Sequence, residues 1–139
     1  MSKYIHKVHY YETDKMGITH HSNYIRFMEE ARVDFFKNIG FDYFEFEKCG
    51  IVSPVVGLNN IKFKRPSTAG DTLEIEVSVK SMTTVIFTIQ YAMKKEDTVV
   101  FTGESDHCLL SKEGKIVPLS DKRIEALVKK LQELIVTQE

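Results

Sequence analysis

From Ser22 onward the apolar residues Tyr24, Phe27, Met28, Ala31, Phe35 and Ile39 fall at offsets 0, 3, 4, 7, 11 and 15, while Arg26, Glu29, Glu30, Arg32 and Lys37 lie mostly off that stripe. A repeat of about 3.6 residues predicts a long amphipathic helix. Ser22 or Asn23 is expected to cap its start by accepting a backbone N–H, and Gly40 to end it in a left-handed turn. Downstream the period drops to two. In DTLEIEVSVK, Leu73, Ile75, Val77 and Val79 face one way and Glu74, Glu76, Ser78 and Lys80 the other, which predicts a strand with one buried and one wet face. GLNNIKFKR, TTVIFTIQYAM and DTVVFTGESDHCLL have the same character, and SKEG (Ser111 to Gly114) reads as a hairpin turn before KIVPL. Upstream, YIHKVHYYE reads as a first strand. FDYFEFEKCG is a connection with room for a short helical turn. Ile124, Leu127, Val128, Leu131, Leu134 and Ile135 form the stripe of a closing helix, with Ser120 as its expected cap.

The order strand, long helix, run of strands, terminal helix is an α+β plan: one helix against a curved antiparallel sheet of five to six strands, all within a single domain spanning 1–139. Isolated helices of this length are marginal, so burial by the sheet must supply most of the long helix's stability.

Composition narrows the function. The 139 residues carry 19 basic and 20 acidic side chains, a formal net charge of −1, and so exert no overall pull on nucleic acid or anionic membrane. No run approaches the roughly 18 apolar residues of a membrane span, and MSKYIHKVHY lacks the apolar core of a signal peptide, so a cytoplasmic location is expected. Cys49 and Cys108 stand far apart without metal-ligand spacing and read as reduced, mostly buried thiols.

The densest polar chemistry is YYETDKMGITHHSNY, Tyr10 to Tyr24. Asp14 precedes Gly17 where the chain must turn, and an Asx-type turn with its own backbone is the simplest role for it. The first turn of the following helix, near His21 and Ser22, adds unpaired N–H groups at the positive end of the helix dipole, which together stabilise an oxyanion. A carboxylate beside an oxyanion site is the minimal equipment for acyl transfer. The adjacent His20 and His21 do not read as a metal site: neighbouring residues in extended chain point to opposite sides, no HExxH is present, and His6, His9 and His107 are scattered. No metal is expected.

Y-x-E-T-D-x-M-G-I-x-H-H-S-N-Y followed by IRFMEEAR closely resembles the N-terminal signature of hotdog-fold acyl-CoA thioesterases of the 4-hydroxybenzoyl-CoA thioesterase-like (YbgC-type) family. FKRPSTAGDTLEIEVSV and FTGESDHCLLSKEGKIVPL continue the likeness over nearly the whole chain. The resemblance implies a hotdog fold, with the long helix wrapped by the sheet. It also implies protomers joined edge to edge, as a homodimer or homotetramer, with active sites at the interface. Carried over, it puts the catalytic acid on Asp14, the N–H that polarises the thioester carbonyl on His21, and a tyrosine near the site on Tyr10. Coenzyme A would enter only as part of the substrate. Its phosphates need cations, for which Lys62, Lys64 and Arg65 form the best cluster, although an ordinary solvated sheet face explains them equally well; Lys80 and Ser81 are further candidates. Tyr24, Phe27, Met28 and Phe63 could line an acyl pocket or simply be core. A non-hydrolytic acyl-thioester binding protein and a thioesterase for carrier-protein substrates are the alternatives. A dehydratase would need a different histidine motif, and a transcription regulator would need a DNA-binding helix pair for which the chain has no spare length.

Overall fold

The computed structural model describes residues 2–138, the last three by their backbone only. Five strands form one antiparallel sheet: β1 (Ser2–Lys7), β3 (Val55–Phe63), β4 (Thr72–Met82), β5 (Phe87–Lys95) and β6 (Thr98–His107), in the order β1-β4-β5-β6-β3. Two short strands, β2 (Ile51–Val52) and β7 (Leu110–Ser111), pair separately. The helix α1 (His21–Asn38) packs against β1 and β4, α2 (Tyr43–Cys49) follows it, and α3 (Glu125–Gln138) lies on β4. This is the hotdog plan the sequence implied.

The two periods explain the core. Leu73, Ile75, Val77 and Val79 of β4 are fully buried while Glu74, Glu76 and Ser78 on the opposite face are half-exposed. Tyr24, Phe27, Met28, Ala31, Phe35 and Phe36 of α1 bury the matching stripe against them. Removing such a side chain from water is worth about 1.5–3 kcal/mol each, enough to hold a helix that would fray alone. Gly40, at φ +84°, follows the last helical turn as expected. Among the described residues, no helix is long and apolar enough to cross a membrane. Cys49 is half-buried and Cys108 buried, both free thiols.

Several boundaries fall elsewhere than the pattern suggested. The first strand stops at Lys7, and Tyr10–Glu12 winds into a 3-10 turn because the Glu12 carboxylate accepts the His9 N–H at 2.8 Å. The cap of α1 is His20 rather than Ser22 or Asn23: its Nδ1 accepts the Ser22 N–H, and Asn23 instead sends its side-chain amide to the Glu12 carbonyl. The terminal helix is capped by Asp121, not Ser120; the Asp121 carboxylate accepts the Arg123 N–H at 2.8 Å and opens a 3-10 turn, Lys122–Ile124, that leads into α3. The FDYFEFEKCG segment holds all of α2, capped by Asp42 and ended at Gly50 in the left-handed region. In KIVPL only Ile116 bridges, to Leu110.

One polar chain crosses the core. Arg32 Nη1 donates to the Tyr91 hydroxyl (3.1 Å), which lies 2.6 Å from Ser105 Oγ, itself 2.7 Å from His107 Nε2. His107 also hydrogen-bonds the Pro54 backbone. Burial, and then the Arg32 guanidinium, push His107 down from 6.5 to about 4, outweighing the opposing pull of the Pro54 bond and Asp106. The ring is therefore neutral, Nε2 has a lone pair, and Ser105 donates to it. Between pH 4 and 6.5 the unfolded chain binds a proton that folded His107 refuses, so stability must rise with pH across that window. Urea unfolding from pH 4 to 7 is expected to show a His107 contribution on the order of 3 kcal/mol, absent from His107→Gln. Equal slopes for the two proteins would refute it.

Candidate active site

The loop between the 3-10 turn and α1 is tied at every corner. Thr13 and Thr19 bridge across it, Asp14 N–H donates to the Ile18 carbonyl (2.8 Å), and Gly17 N–H donates to the Asp14 carbonyl (2.9 Å). Gly17 sits at φ +80°, a conformation that favours glycine and lets the chain reverse. The β3–β4 connection holds the loop from outside, since Thr68 Oγ1 donates to the Gly17 carbonyl and Thr19 N–H to the Ser67 carbonyl, each at 2.7 Å. Buried Ser67 also bonds the hydroxyls of Thr19 and Tyr24.

Glu12 joins the two sides. Its carboxylate takes the His9 N–H and His6 Nε2 (2.9 Å), while its carbonyl takes the His20 N–H (2.9 Å) and the Asn23 side chain (2.8 Å). At 7% exposure this acid fixes the end of β1 to the start of α1. Glu12 stands within the motif YYETD, where the local pattern alone assigns it no role. The signal was there, an acid three residues after His9 and six after His6, and only the fold shows that it turns inward.

The half-buried Asp14 does make the Asx turn: Met16 N–H donates to its Oδ1 at 2.8 Å. Among the described residues its other oxygen has no protein partner. His21 is the first residue of α1, and no acceptor is found among the described residues for its backbone N–H, as the first turn of a helix dictates. The bridge between Thr13 and Thr19 thus brings the Asp14 loop back to the entry of the helix that presents this free donor.

The side chains around this entry are aromatic. The His21 ring stacks on His20 with centroids 4.2 Å apart, so the two imidazoles lie together rather than on opposite sides as extended chain would place them; the cap conformation of His20 turns its ring back over the helix start. Phe63 meets His21, Tyr24 and Phe101 edge-on and is half-exposed. Of the suggested pocket residues, Phe27 and Met28 are wholly core and Tyr24 is buried with its hydroxyl on buried Ser67, which leaves Phe63 as the accessible one. Tyr10 is 85% exposed on the 3-10 turn, and among the described residues its side chain makes no hydrogen bond or ring contact with the Asp14 loop.

As alternation requires, Ile61 turns inward, toward Gly103, while Lys62 and Lys64 point out. With Ser78, Gln90 and Thr102 these two lysines line a shallow groove of about 370 Å³ on the outer sheet face. Its two carboxylates are occupied, Glu76 by Lys94 (3.0 Å) and Glu104 by Lys80 (2.8 Å). Lys80 is therefore committed, whereas Lys62, Lys64 and Arg65 have no ion-pair partner among the described residues. Arg65 does not line the groove. A more apolar cavity of about 430 Å³ opens between α1, α2 and the 51–54 segment, walled by Arg32, Phe36, Tyr43, Phe46, Ile51 and Val52. It begins at Glu29, roughly 12 Å along α1 from His21.

The thioesterase-like superfamily model matches residues 8–131, from the end of β1 into α3. The chain belongs to this superfamily. Among its relatives is an Aquifex aeolicus protein provisionally named an esterase, 38% identical over 89% of this chain and 95% of its own length. The acyl-CoA thioester hydrolase YbgC of Escherichia coli is 29% identical over 70% of this chain and 73% of its own. The solved DHNA-CoA thioesterase of Staphylococcus aureus superposes with a TM-score of 0.87 at 27% identity, covering 99% of this chain and 95% of that one.

Proposed function

We propose that the protein hydrolyses acyl-CoA thioesters. The observation that carries this reading is the free His21 N–H at the entry of α1, set beside a tightly tied loop whose acid, Asp14, keeps one oxygen without a protein partner. Membership of the thioesterase-like superfamily supports it. The thioester carbonyl would accept the His21 N–H, and negative charge developing on its oxygen would be stabilised there and by the helix dipole. Asp14 either attacks the carbonyl carbon, expelling the thiolate and leaving a mixed anhydride that water cleaves, or takes a proton from the water that attacks. Both routes yield the free acid and coenzyme A. Tyr10, on the exposed rim, is assigned to substrate contact. The Asx turn of Asp14 also suits a protein that binds thioesters without cleaving them, and turnover separates the two.

Asparagine retains an Oδ1 acceptor for Met16, so Asp14→Asn preserves the turn and removes only the chemistry. With a panel of aliphatic and aromatic acyl-CoA esters, thiol release by the variant is expected to fall at least ~10²-fold at unchanged Tm. Wild-type turnover in the variant would exclude Asp14, and no release by either protein would favour the binding role.

Lys62, Lys64 and Arg65, unpaired on the described surface, are assigned to the coenzyme phosphates. Lys64→Glu should then raise KM for acyl-CoA and flatten its salt dependence while leaving kcat near wild type. Acyl-pantetheine substrates, which lack the nucleotide, should show no such change; an equal effect on both would remove the assignment.

The free side of β3 exposes Val55, Val56 and Leu58 at 43%, 53% and 44% and ends the sheet with unpaired backbone groups. A second copy joining at this edge would cover them, giving a cytoplasmic homodimer or homotetramer. Sedimentation of the wild type should report at least a dimer and of Val56→Lys a smaller species; a monomeric wild type would rule this edge out.

A further inference from the structure

Apart from the groups assigned to acyl transfer, the fold gathers two imidazoles and a carboxylate that stand apart in the sequence. His6 lies near the end of β1, His9 at the cap of the 3-10 turn and Glu12 at that turn's close, a spacing of H-x-x-H-x-x-E. One ligating atom from each falls within 4.8 Å of the other two. We propose that His6, His9 and Glu12 form a binding site for a divalent transition-metal ion of zinc type.

The strand-to-turn transition makes this convergence possible. Residues three apart point in different directions in a continuous strand, but here the chain leaves β1 after Lys7 and winds, bringing the His9 ring to 5.6 Å from the His6 ring in an edge-on arrangement. Ligands of a tetrahedral zinc ion stand about 3.3 Å apart, as follows from metal–ligand bonds of about 2.0–2.1 Å. His6 Nε2 and Glu12 Oε1 are already at 2.9 Å. His9 is exposed and can swing inward without disturbing the core.

The surroundings suit a cation. The outward nitrogen of His6, Nδ1, faces Glu30 Oε2 at 3.3 Å, the carboxylate–histidine arrangement that orients an imidazole toward a metal and raises its basicity. The His6 ring is further fixed against Phe27, with centroids 4.1 Å apart. Two carboxylates thus flank the site. Binding would replace the proton shared between His6 Nε2 and Glu12 with the ion and release it to solvent. Two imidazoles and one carboxylate leave at least one coordination position to water, and such a borderline donor set suits zinc, nickel or copper in preference to magnesium or calcium. Held in this way, the ion would staple β1 to the turn that precedes the Asp14 loop.

Zinc chloride titrated calorimetrically into tag-free wild-type protein tests the site, with competition by a chromogenic chelator as a second readout. Expected are one ion per chain, release of about one proton seen by repeating the titration in buffers of different ionisation enthalpy, and a rise in Tm. His9→Ala, at an exposed position whose backbone bond to Glu12 is kept, should fold normally yet bind at least about tenfold more weakly and lose the Tm rise; His9→Cys should restore both. Glu30→Gln should weaken binding about tenfold or more through His6. Absence of binding in the wild type, or equal affinity in wild type and His9→Ala, would overturn the proposal and leave the three residues as a structural contact.

Discussion

The aromatic stripe of α1 must be kept from water, and nearly every other element is placed by that need. Phe27, Phe35, Met28 and Tyr24 are too large for a single neighbouring helix to cover, so β4 and its flanking strands curve around them. The consequence for chemistry is indirect. A helix held along its whole length by a sheet cannot shift its first turn, and the unsatisfied N–H groups there acquire a fixed address.

That address would be worth little if the incoming chain were loose. Glu12 removes the slack by bonding β1 and the 3-10 turn with its side chain and the helix entry with its carbonyl. Because it is buried, its bonds compete with little water and must all be made together, which turns a run of otherwise polar residues into a rigid connector. Asp14 itself is only half-buried and remains open on one side. Rigidity behind and access in front are what a reacting carboxylate requires.

Period was the legible quantity in this sequence. The 3.6 repeat of Tyr24 to Ile39 and the alternation of Leu73 to Val79 each named the correct face, because burial is a collective demand on many residues. N-terminal caps were misread because they are decided by one hydrogen bond. His20 took the place expected for Ser22 or Asn23 when its ring nitrogen reached the Ser22 N–H, and Asp121 displaced Ser120 in the same way. In the candidate site, the helix-start position of His21 and the loop position of Asp14 were visible through their motif. The inward turn of Glu12 and the meeting of His6 with His9 depend on contacts between elements, which no local pattern encodes.

The polar chain across the core has a direction. With His107 neutral, hydrogens run from Arg32 to Tyr91, to Ser105, to His107 and out to the Pro54 backbone, each group donating forward and accepting from behind. Such a file of oriented dipoles can be inherited only as a set. Phenylalanine at 91 would strand a guanidinium proton and a serine lone pair at once, and alanine at 105 would separate two intact neighbours. In the history of this chain these four positions, drawn from a helix and two strands, should therefore have drifted in step, with intermediate combinations scarce because each leaves a buried group unanswered.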